Sequence, residues 1–253
     1  ATFSENVVNV DGTDFTISGT TATVTNLVPV TSSGGTQYDV TLSGGDLSTN
    51  NNSVGLNLAS GQNIADTGGN ALVSYQNVTY TATGNSVLTV TVANGRLQVK
   101  IGNAQQTEIN PELIGSLTIT GGSGKDSINL TGLSMTLYSH LTQIVLNGGD
   151  GNDTITGSNF AETISGGLGN DTLKGRGGLD RLAEAGDVTF VLTNDRLTGL
   201  GTDSLNGFEE AALTGGDHAN KLDASAFTGN GPLMGGSGDD TLIGGSGHDP
   251  LDG

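Results

Sequence analysis

"GGDGNDTITGSNFAETISGGLGNDTLKGRGGLDRLA" runs from Gly148 to Ala183. Cut into nines, it reads GGDGNDTIT, GSNFAETIS, GGLGNDTLK and GRGGLDRLA. Each nine carries an acid at its sixth place (Asp153, Glu162, Asp171, Asp180) and an aliphatic at its eighth (Ile155, Ile164, Leu173, Leu182). Nine residues divide into about six of glycine-rich turn and three of strand. Two such units make one coil, and successive coils stack as parallel strands with each eighth-place aliphatic pointing between two sheets. Fixed short periods of this kind are the sequence signature of solenoids.

The period extends beyond this stretch. The eighth places of successive nines are Ile119, Ile128, Leu137, Leu146, Ile155, Ile164, Leu173 and Leu182, eight aliphatics without a slip. Val191 and Leu200 keep the count in surroundings that no longer look like the repeat. The frame then jumps by 13 to Leu213, holds to Leu222, jumps by 11 to Leu233 and holds through Leu242 and Leu251. The expected roll therefore spans 119–253 with an insertion around 183–213, read as a strand pair plus a coil outside the repeat pattern.

A ladder of single aliphatics makes a thin core. Burying one of them contributes about 1.5–3 kcal/mol, less than the backbone entropy of ordering the eighteen residues of a coil. The turns must contribute the rest. Stacked Asp-bearing turns repel one another, and a cation between them would remove the repulsion and gain oxygen ligands. The composition agrees with this reading. Of 253 residues 43 are Gly, none is Cys, and the net charge is −18. Asp outnumbers Glu 19 to 7, and no basic side chain precedes Arg96. Such a chain is a poor partner for nucleic acid, which needs clustered Lys and Arg. No apolar run approaches a membrane span. The chain starts in what looks like a strand and ends inside a repeat, so a segment of a longer protein is expected.

Residues 1–73 read as a small all-β domain, with strands around 15–18, 22–30, 38–43 and 54–59 separated by Gly- and Asn-rich turns, the spacing of a β-sandwich. Residues 74–118 hold three more strands, "VTYTAT", "SVLTVTV" and "RLQVKI", read as a β-meander that links to or caps the roll, with hairpin turns at "TGN" (83–85) and "NGR" (94–96). Asn-Gly suits the positive φ of tight hairpins.

The copies "GGSGKDSIN" (121–129), "GGDGNDTIT" (148–156), "GGLGNDTLK" (166–174), "GGSGDDTLI" (235–243) and "GGSGHDPLD" (244–252) fit G-G-x-G-x-D-x-U-x. In these the chain resembles the RTX (repeats-in-toxin) calcium-binding β-roll family, whose motif is a known calcium-binding repeat. The resemblance implies several Ca²⁺ ions between turns of adjacent coils, held by sixth-place carboxylates and main-chain carbonyls. On this sequence it points first to Asp153 and Asp171, eighteen residues apart, with carbonyls of Gly149, Gly151, Gly166 and Leu168. A second site would use Glu162 and Asp180, with Gly175 and Gly177. Asp126 has Ile144 eighteen residues on and so lacks an acidic partner. Asp240 and Asp249 face Asn220 and Gly231 looking back across the insertion, so their sites are expected to be incomplete. The segment "ATFSENV…ADTGGNALV" resembles Ig-like repeats of large bacterial surface proteins, where an "FSE" strand opens the unit and a "D-x-x-GN" turn closes it. Glu5, Asp11 and Asp66 are candidate calcium ligands there, set against a reading as solvated acids and an Asx turn.

Other signals point nowhere. "TGGSGKDS" (120–127) lacks the Ser or Thr that a phosphate loop needs after Lys125. His140, His218 and His248 are far apart in sequence, and no nucleophile elbow is present. The fold class expected is all-β: an Ig-like sandwich followed by a parallel β-roll with insertions. The function expected is a calcium-dependent structural segment of a large secreted bacterial surface protein of adhesin, surface-layer or matrix type, with no catalysis of its own. The alternative is a carrier module of a secreted enzyme whose catalytic domain lies elsewhere. Calcium, and possible neighbouring copies or surface and matrix components, are the expected partners. The resemblance implies export by a type I system to the cell surface.

Overall fold

The computed structural model describes residues 7–18, 20–30, 37–45, 54–58, 64–66, 75–106 and 108–253. The chain divides into two compact units, Ala1–Ser74 and Tyr75–Gly253. In the first, three antiparallel pairs form: Val7–Val8 with Ala65–Asp66, Phe15–Ser18 with Gly55–Leu58, and Thr23–Pro29 with Tyr38–Ser43. Val7, Tyr38 and Ile64 make a small core, and the Tyr38 hydroxyl donates to the Val7 carbonyl at 3.1 Å. Asp11 caps the 3-10 turn Gly12–Asp14: it accepts from Thr13 N–H at 2.8 Å, while Asp14 accepts from Asp11 N–H at 2.6 Å. Asp66 sits in a strand pair. Glu5 lies outside the described residues.

The second unit is a two-sheet roll. One sheet has eight strands, all parallel: Gln76–Thr81, Ile114–Thr120, Gln143–Asp150, Glu162–Leu168, Arg181–Ala185, Glu210–Thr214, Leu233–Met234 and Leu251–Asp252. The other has eleven: one parallel run stacks Leu88–Ala93, Ser127–Asn129, Thr154–Thr156, Thr172–Lys174 and Thr202–Asn206 in that order, and a second stacks Phe190–Thr193, Lys221–Ala226 and Thr241–Ile243. The nine-residue alternation explains the core. Ile119, Leu146, Ile164 and Leu182 are fully buried from one sheet, and Ile128, Ile155 and Leu173 from the other. Eighth-place aliphatics pair in register across coils: Leu146 with Ile164, Ile164 with Leu182, Ile155 with Leu173.

Several expectations shift. The parallel roll starts at Gln76, which pairs in parallel with Ile114–Thr120. Consequently "TGN" does not turn a hairpin: it carries the chain from one sheet to the other, between Gln76–Thr81 and Leu88–Ala93. "NGR" does close a hairpin, with φ of 51° at Asn94 and 74° at Gly95. Leu137 leaves the strand ladder. It is half-buried in the wide connection 130–142, so the coil there is nine residues longer than its neighbours and Leu117 pairs with Ile144. That connection is anchored by Tyr138, 1% exposed, whose hydroxyl accepts from Leu97 N–H at 2.9 Å.

The insertion is a hairpin, Phe190–Thr193 with Arg196–Thr198, that enters one sheet between Thr202–Asn206 and Lys221–Ala226. On the opposite sheet Arg181–Ala185 pairs directly with Glu210–Thr214. There Leu182 faces Ala211 and Glu184 faces Leu213, so the aliphatic column moves over by two residues before continuing through Leu233 and Leu251. At this level the outer face of the eight-stranded sheet is concave. It encloses about 580 Å³ bordered by Asn147, Ser165, Ala183, Ala212 and Leu200.

Because the core is one residue thick, its members should be unequal to surface apolar residues of similar size. Ile164→Ala is expected to destabilise the calcium-saturated roll by about 2–5 kcal/mol. Met135→Ala, at a position 55% exposed, should stay within about 0.5 kcal/mol. Urea unfolding of both variants checks this, and equal midpoints would contradict the single-file core.

Candidate metal centre

The stacked turns bring the sixth-place acids into two columns, one along each edge of the roll. Along the first, Asp126 N–H donates to Asp153 Oδ1 at 2.7 Å, Asp153 N–H to Asp171 Oδ1 at 2.7 Å, and Asp171 N–H to Asp203 Oδ1 at 2.9 Å. Along the second, Glu162 N–H donates to Asp180 Oδ1 and Asp180 N–H to Glu209 Oε2, both at 2.9 Å. Each acid thus commits one oxygen to the main chain of the preceding coil. The pairs Asp153–Asp171 and Glu162–Asp180 are brought together at the eighteen-residue spacing. Asp126 meets Asp153 rather than Ile144, because the widened connection 130–142 adds nine residues to its coil.

Asp203 and Glu209 belong to the columns although the nine-residue frame misses them. The signal for Asp203 is in the sequence: "GLGTDSLN" (199–206) repeats "GLGNDTLK" (167–174), displaced by 32 residues and so out of phase. Glu209 has no such signal, since its turn is shortened to Gly207–Glu209.

What the second carboxylate oxygen does divides the turns into two kinds. In 121–126, 157–162, 215–220 and 244–249 the N–H of the second place closes onto the sixth-place side chain: Gly122 to Asp126 Oδ2 at 2.8 Å, Ser158 to Glu162 Oε2 at 3.2 Å, Gly216 to Asn220 Oδ1 at 2.7 Å, and Gly245 to Asp249 Oδ2 at 2.8 Å. These turns are closed. In 148–153, 166–171, 175–180 and 235–240 the bond is missing, and Asp153, Asp171, Asp180 and Asp240 each keep a buried Oδ2 with no hydrogen-bond partner. These turns are open. The backbone separates the same way. Second and fourth places of the open turns have positive φ: Gly149 and Gly151 at 96° and 134°, Gly167 and Gly169 at 89° and 131°, Arg176 and Gly178 at 86° and 122°, Gly236 and Gly238 at 96° and 116°. None of the closed turns has a positive φ at either place.

The first-place glycine is dictated by close approach. A Cβ on Gly148 would lie 2.5 Å from Asp153 Oδ2 and 2.6 Å from the Gly166 carbonyl. The unpartnered carboxylate oxygen and a carbonyl of the next coil therefore flank the same point. At Gly175 the corresponding distances are 2.6 Å to Asp180 Oδ2 and 2.0 Å to the Gly207 carbonyl. Of the other carbonyls expected as ligands, that of Leu168 already accepts from Gly151 N–H at 2.7 Å. Gly177 N–H donates to the Ser158 carbonyl at 3.2 Å.

Burial favours the protonated form of several of these carboxylates. It pushes Asp153 up to about 6, opposed by the Asp126 N–H and reinforced by the charge of Asp171. It pushes Asp203 to about 6 and Glu162 to about 8, and raises Asp171 and Asp180. A buried oxygen lacking a partner costs free energy, and stacked buried carboxylates add repulsion. Among the described residues no three His, Asp or Glu side chains stand close enough to form an all-side-chain cage. A cation here would be held by one carboxylate oxygen per turn together with main-chain carbonyls. Hard oxygens of both kinds suit Ca²⁺.

Residues 145–159, 156–183 and 225–253 match the family model of the RTX calcium-binding nonapeptide repeat, in four copies. The match supports the RTX family. No curated protein and no solved structure matches the chain. RTX nonapeptide repeats bind Ca²⁺, and four copies accommodate several ions. The residues present fit that ion: the open turns supply the unpartnered oxygens of Asp153, Asp171, Asp180 and Asp240. Calcium bound there would neutralise the columns and leave the turns' own residues to orient the oxygens. The match and the turn geometry are not coextensive. Turns 157–162 and 244–249 lie within the matched residues and are closed, while 175–180, with Arg176 at the second place, lies within them and is open; turn 121–126 fits the motif outside them and is closed. Asp249 is closed, and Asp240 is open although it faces Asn220, whose N–H donates to Asp240 Oδ1 at 2.8 Å.

Two outcomes follow. Folding raises the pKa of these acids above 3.8 and 4.5, so the folded state holds more protons than the unfolded chain between about pH 4 and pH 8. Stability of the calcium-free roll must then fall as pH rises through that window. Thermal melts of calcium-stripped protein should show a higher Tm at about pH 5 than at about pH 8, with the difference reduced by saturating calcium; a Tm that rises over the same interval without calcium would contradict it. Separately, Asp171→Ala should raise the calcium concentration at the folding midpoint about tenfold or more, a loss of at least ~1.4 kcal/mol. Asp195→Ala should leave it unchanged, because the Asp195 carboxylate is engaged by the Thr193 hydroxyl on the exposed hairpin. Calcium titrations followed by circular dichroism distinguish the two.

Proposed function

We propose that this chain is a calcium-dependent structural segment of a large secreted bacterial surface protein of adhesin, surface-layer or matrix type, and that it performs no catalysis. The observation that carries this reading is the set of four open turns, each with a buried carboxylate oxygen that nothing in the protein satisfies. In a calcium-poor cell interior the columns repel and the thin core does not suffice. After export, calcium binds the folded form alone and stabilises it by mass action, so that metal binding becomes folding energy. Dissociation constants of about 10⁻⁴–10⁻³ M suit an extracellular module.

The N-terminal unit is read as an Ig-like module of the kind that large surface proteins repeat; its three antiparallel pairs support this. Among the described residues no helix is long and apolar enough to cross a membrane. The second reading, a carrier module of a secreted enzyme exported by a type I system, uses the same calcium chemistry.

Circular dichroism of the chain with calcium and with chelator at neutral pH tests the mechanism. Calcium should produce a cooperative gain of β-signal, and its removal should reverse it. An identical spectrum under both conditions would sink the proposal.

A further inference from the structure

The outer face of the eight-stranded sheet is hollow for want of side-chain volume. Over four neighbouring strands its outward positions set Asn147 beside Ser165, Gly149 beside Gly167, Ala183 beside Ala212 and Ala185 beside Thr214. Gly149 and Gly167 are there because the open turns take positive φ at the second place, and alanines continue the floor on the next two strands. Leu168, 51% exposed, and Leu200, on the segment returning from the inserted hairpin, give the hollow an aliphatic wall. Its volume of about 580 Å³ falls within the about 300–1,000 Å³ usual for ligand pockets.

Polar groups stand along the rim. Asn147 Oδ1 accepts from Gly149 N–H at 2.9 Å, which leaves the amide NH₂ to donate. The Ser165 hydroxyl donates to Glu184 Oε2 at 3.2 Å, which leaves its lone pairs to accept. The Asp150 carboxylate and the Thr214 hydroxyl complete the lining.

A second hollow, of about 260 Å³, opens two residues earlier on the same strands, where Thr163, Arg181 and Glu210 precede Ser165, Ala183 and Ala212. Leu179, 58% exposed, lines it. Arg181 stands in register between Thr163 and Glu210. Yet ion pairs among the described residues join only His218 with Asp187 and Lys221 with Asp223, and the buried Arg181 Nε has no hydrogen-bond partner. A buried donor left unmet costs free energy, so the hollow calls for an acceptor from outside the chain.

These features select a ligand class. Both hollows lie mid-sheet, where every strand is paired on both sides, so a peptide cannot add there as a strand. The larger is lined by Asp150 and Glu184 and by no Lys or Arg, and in the smaller Glu162 and Glu210 accompany Arg181. Anions are therefore disfavoured by like charge. No aromatic ring lines either hollow to stack a flat ligand. A sugar ring has aliphatic C–H faces and a rim of hydroxyls that both donate and accept, which suits leucine walls beside amide, hydroxyl, carboxylate and guanidinium groups. Successive outward positions on a strand lie about 6–7 Å apart, a step close to one ring of a sugar chain.

We propose that this face binds a neutral oligosaccharide, with one ring in the larger hollow and the next against Arg181. The inference rests on the roll folding as described above, and it gives the surface-protein reading a class of partner.

An array of neutral gluco-, manno- and galacto-hexasaccharides, with hexagalacturonate as the anionic comparison, tests it on the fluorescently labelled full chain in CaCl₂. At least one neutral series should retain the protein, and hexagalacturonate should not. On the retained sugar, Ala212→Trp, which fills the larger hollow, and Arg181→Met, which keeps the stem and removes the donor, should each weaken binding about tenfold or more. Thr91→Trp, at an exposed position of the other sheet, should match wild type. Circular dichroism at saturating calcium verifies that each variant folds, and Arg181→Met decides the matter should Ala212→Trp fold poorly. Retention by no neutral sugar, preference for hexagalacturonate, or wild-type binding in both hollow variants would overturn the sugar site and leave calcium-driven folding intact. A chain that folds and binds sugar equally well in chelator would instead overturn the calcium reading and spare the site.

Discussion

A buried carboxylate has two oxygens, and along the columns of this roll a main-chain donor serves one oxygen of each stacked acid. The fate of the other governs the local backbone. Where the second-place N–H turns inward, the oxygen is satisfied and the turn is closed. Where that residue takes positive φ, the N–H points elsewhere and the oxygen is left bare. The glycines at places two and four are the means of reaching the second state, since other residues enter it only with strain. Arg176, at φ 86°, accepts that strain in a turn whose Asp180 is bare. The conformation of a turn and the exposure of its second carboxylate oxygen to an unmet hydrogen-bonding need are therefore one property.

The aliphatic ladder and the acid columns depend on each other. The ladder sets the stacking register, which places each acid over the main chain of its neighbour. The acids in turn supply an intercoil hydrogen bond on each edge of the roll, outside the sheets. A core one side chain thick has little surplus stability, and the columns oppose it with buried like charges. On the proposed reading the fold is conditional, with protons or cations accompanying it. This is the reverse of a conventional domain, whose carboxylates are paired with bases and lose stability in acid.

Much of this was legible from residue spacing. The period of nine, the two-unit coil and the pairing of Asp153 with Asp171 all follow from apolar and acidic positions. Periodicity counts residues, however, and does not distinguish a strand from a loop that happens to carry an aliphatic at the right place. Leu137 satisfied the count while sitting in a connection, and this displaced the partner of Asp126 by one unit. The returning segment at 199–206 repeats an earlier one nearly residue for residue, yet its offset of 32 hid it from a frame of nine. Glu184 carried no motif at all. Its buried carboxylate accepts from Gly166 N–H and the Ser165 hydroxyl because Arg181–Ala185 lies beside Glu162–Leu168, an arrangement that only the folded chain provides. Likewise, closed and open turns share one motif, because the difference lies in a peptide orientation and not in a side chain.

The hairpin enters only one of the two sheets. Its two strands, at about 4.8 Å each, lengthen that sheet by about 10 Å over a level where the other sheet passes directly from Arg181–Ala185 to Glu210–Thr214. Two walls of unequal length cannot run straight. The axis of the solenoid must curve toward the eight-stranded sheet, in keeping with the hollow on that sheet's outer face. Under tension along the axis, the shorter wall would take the load first, at the level where Glu162–Leu168 and Arg181–Ala185 keep only two ladder pairs.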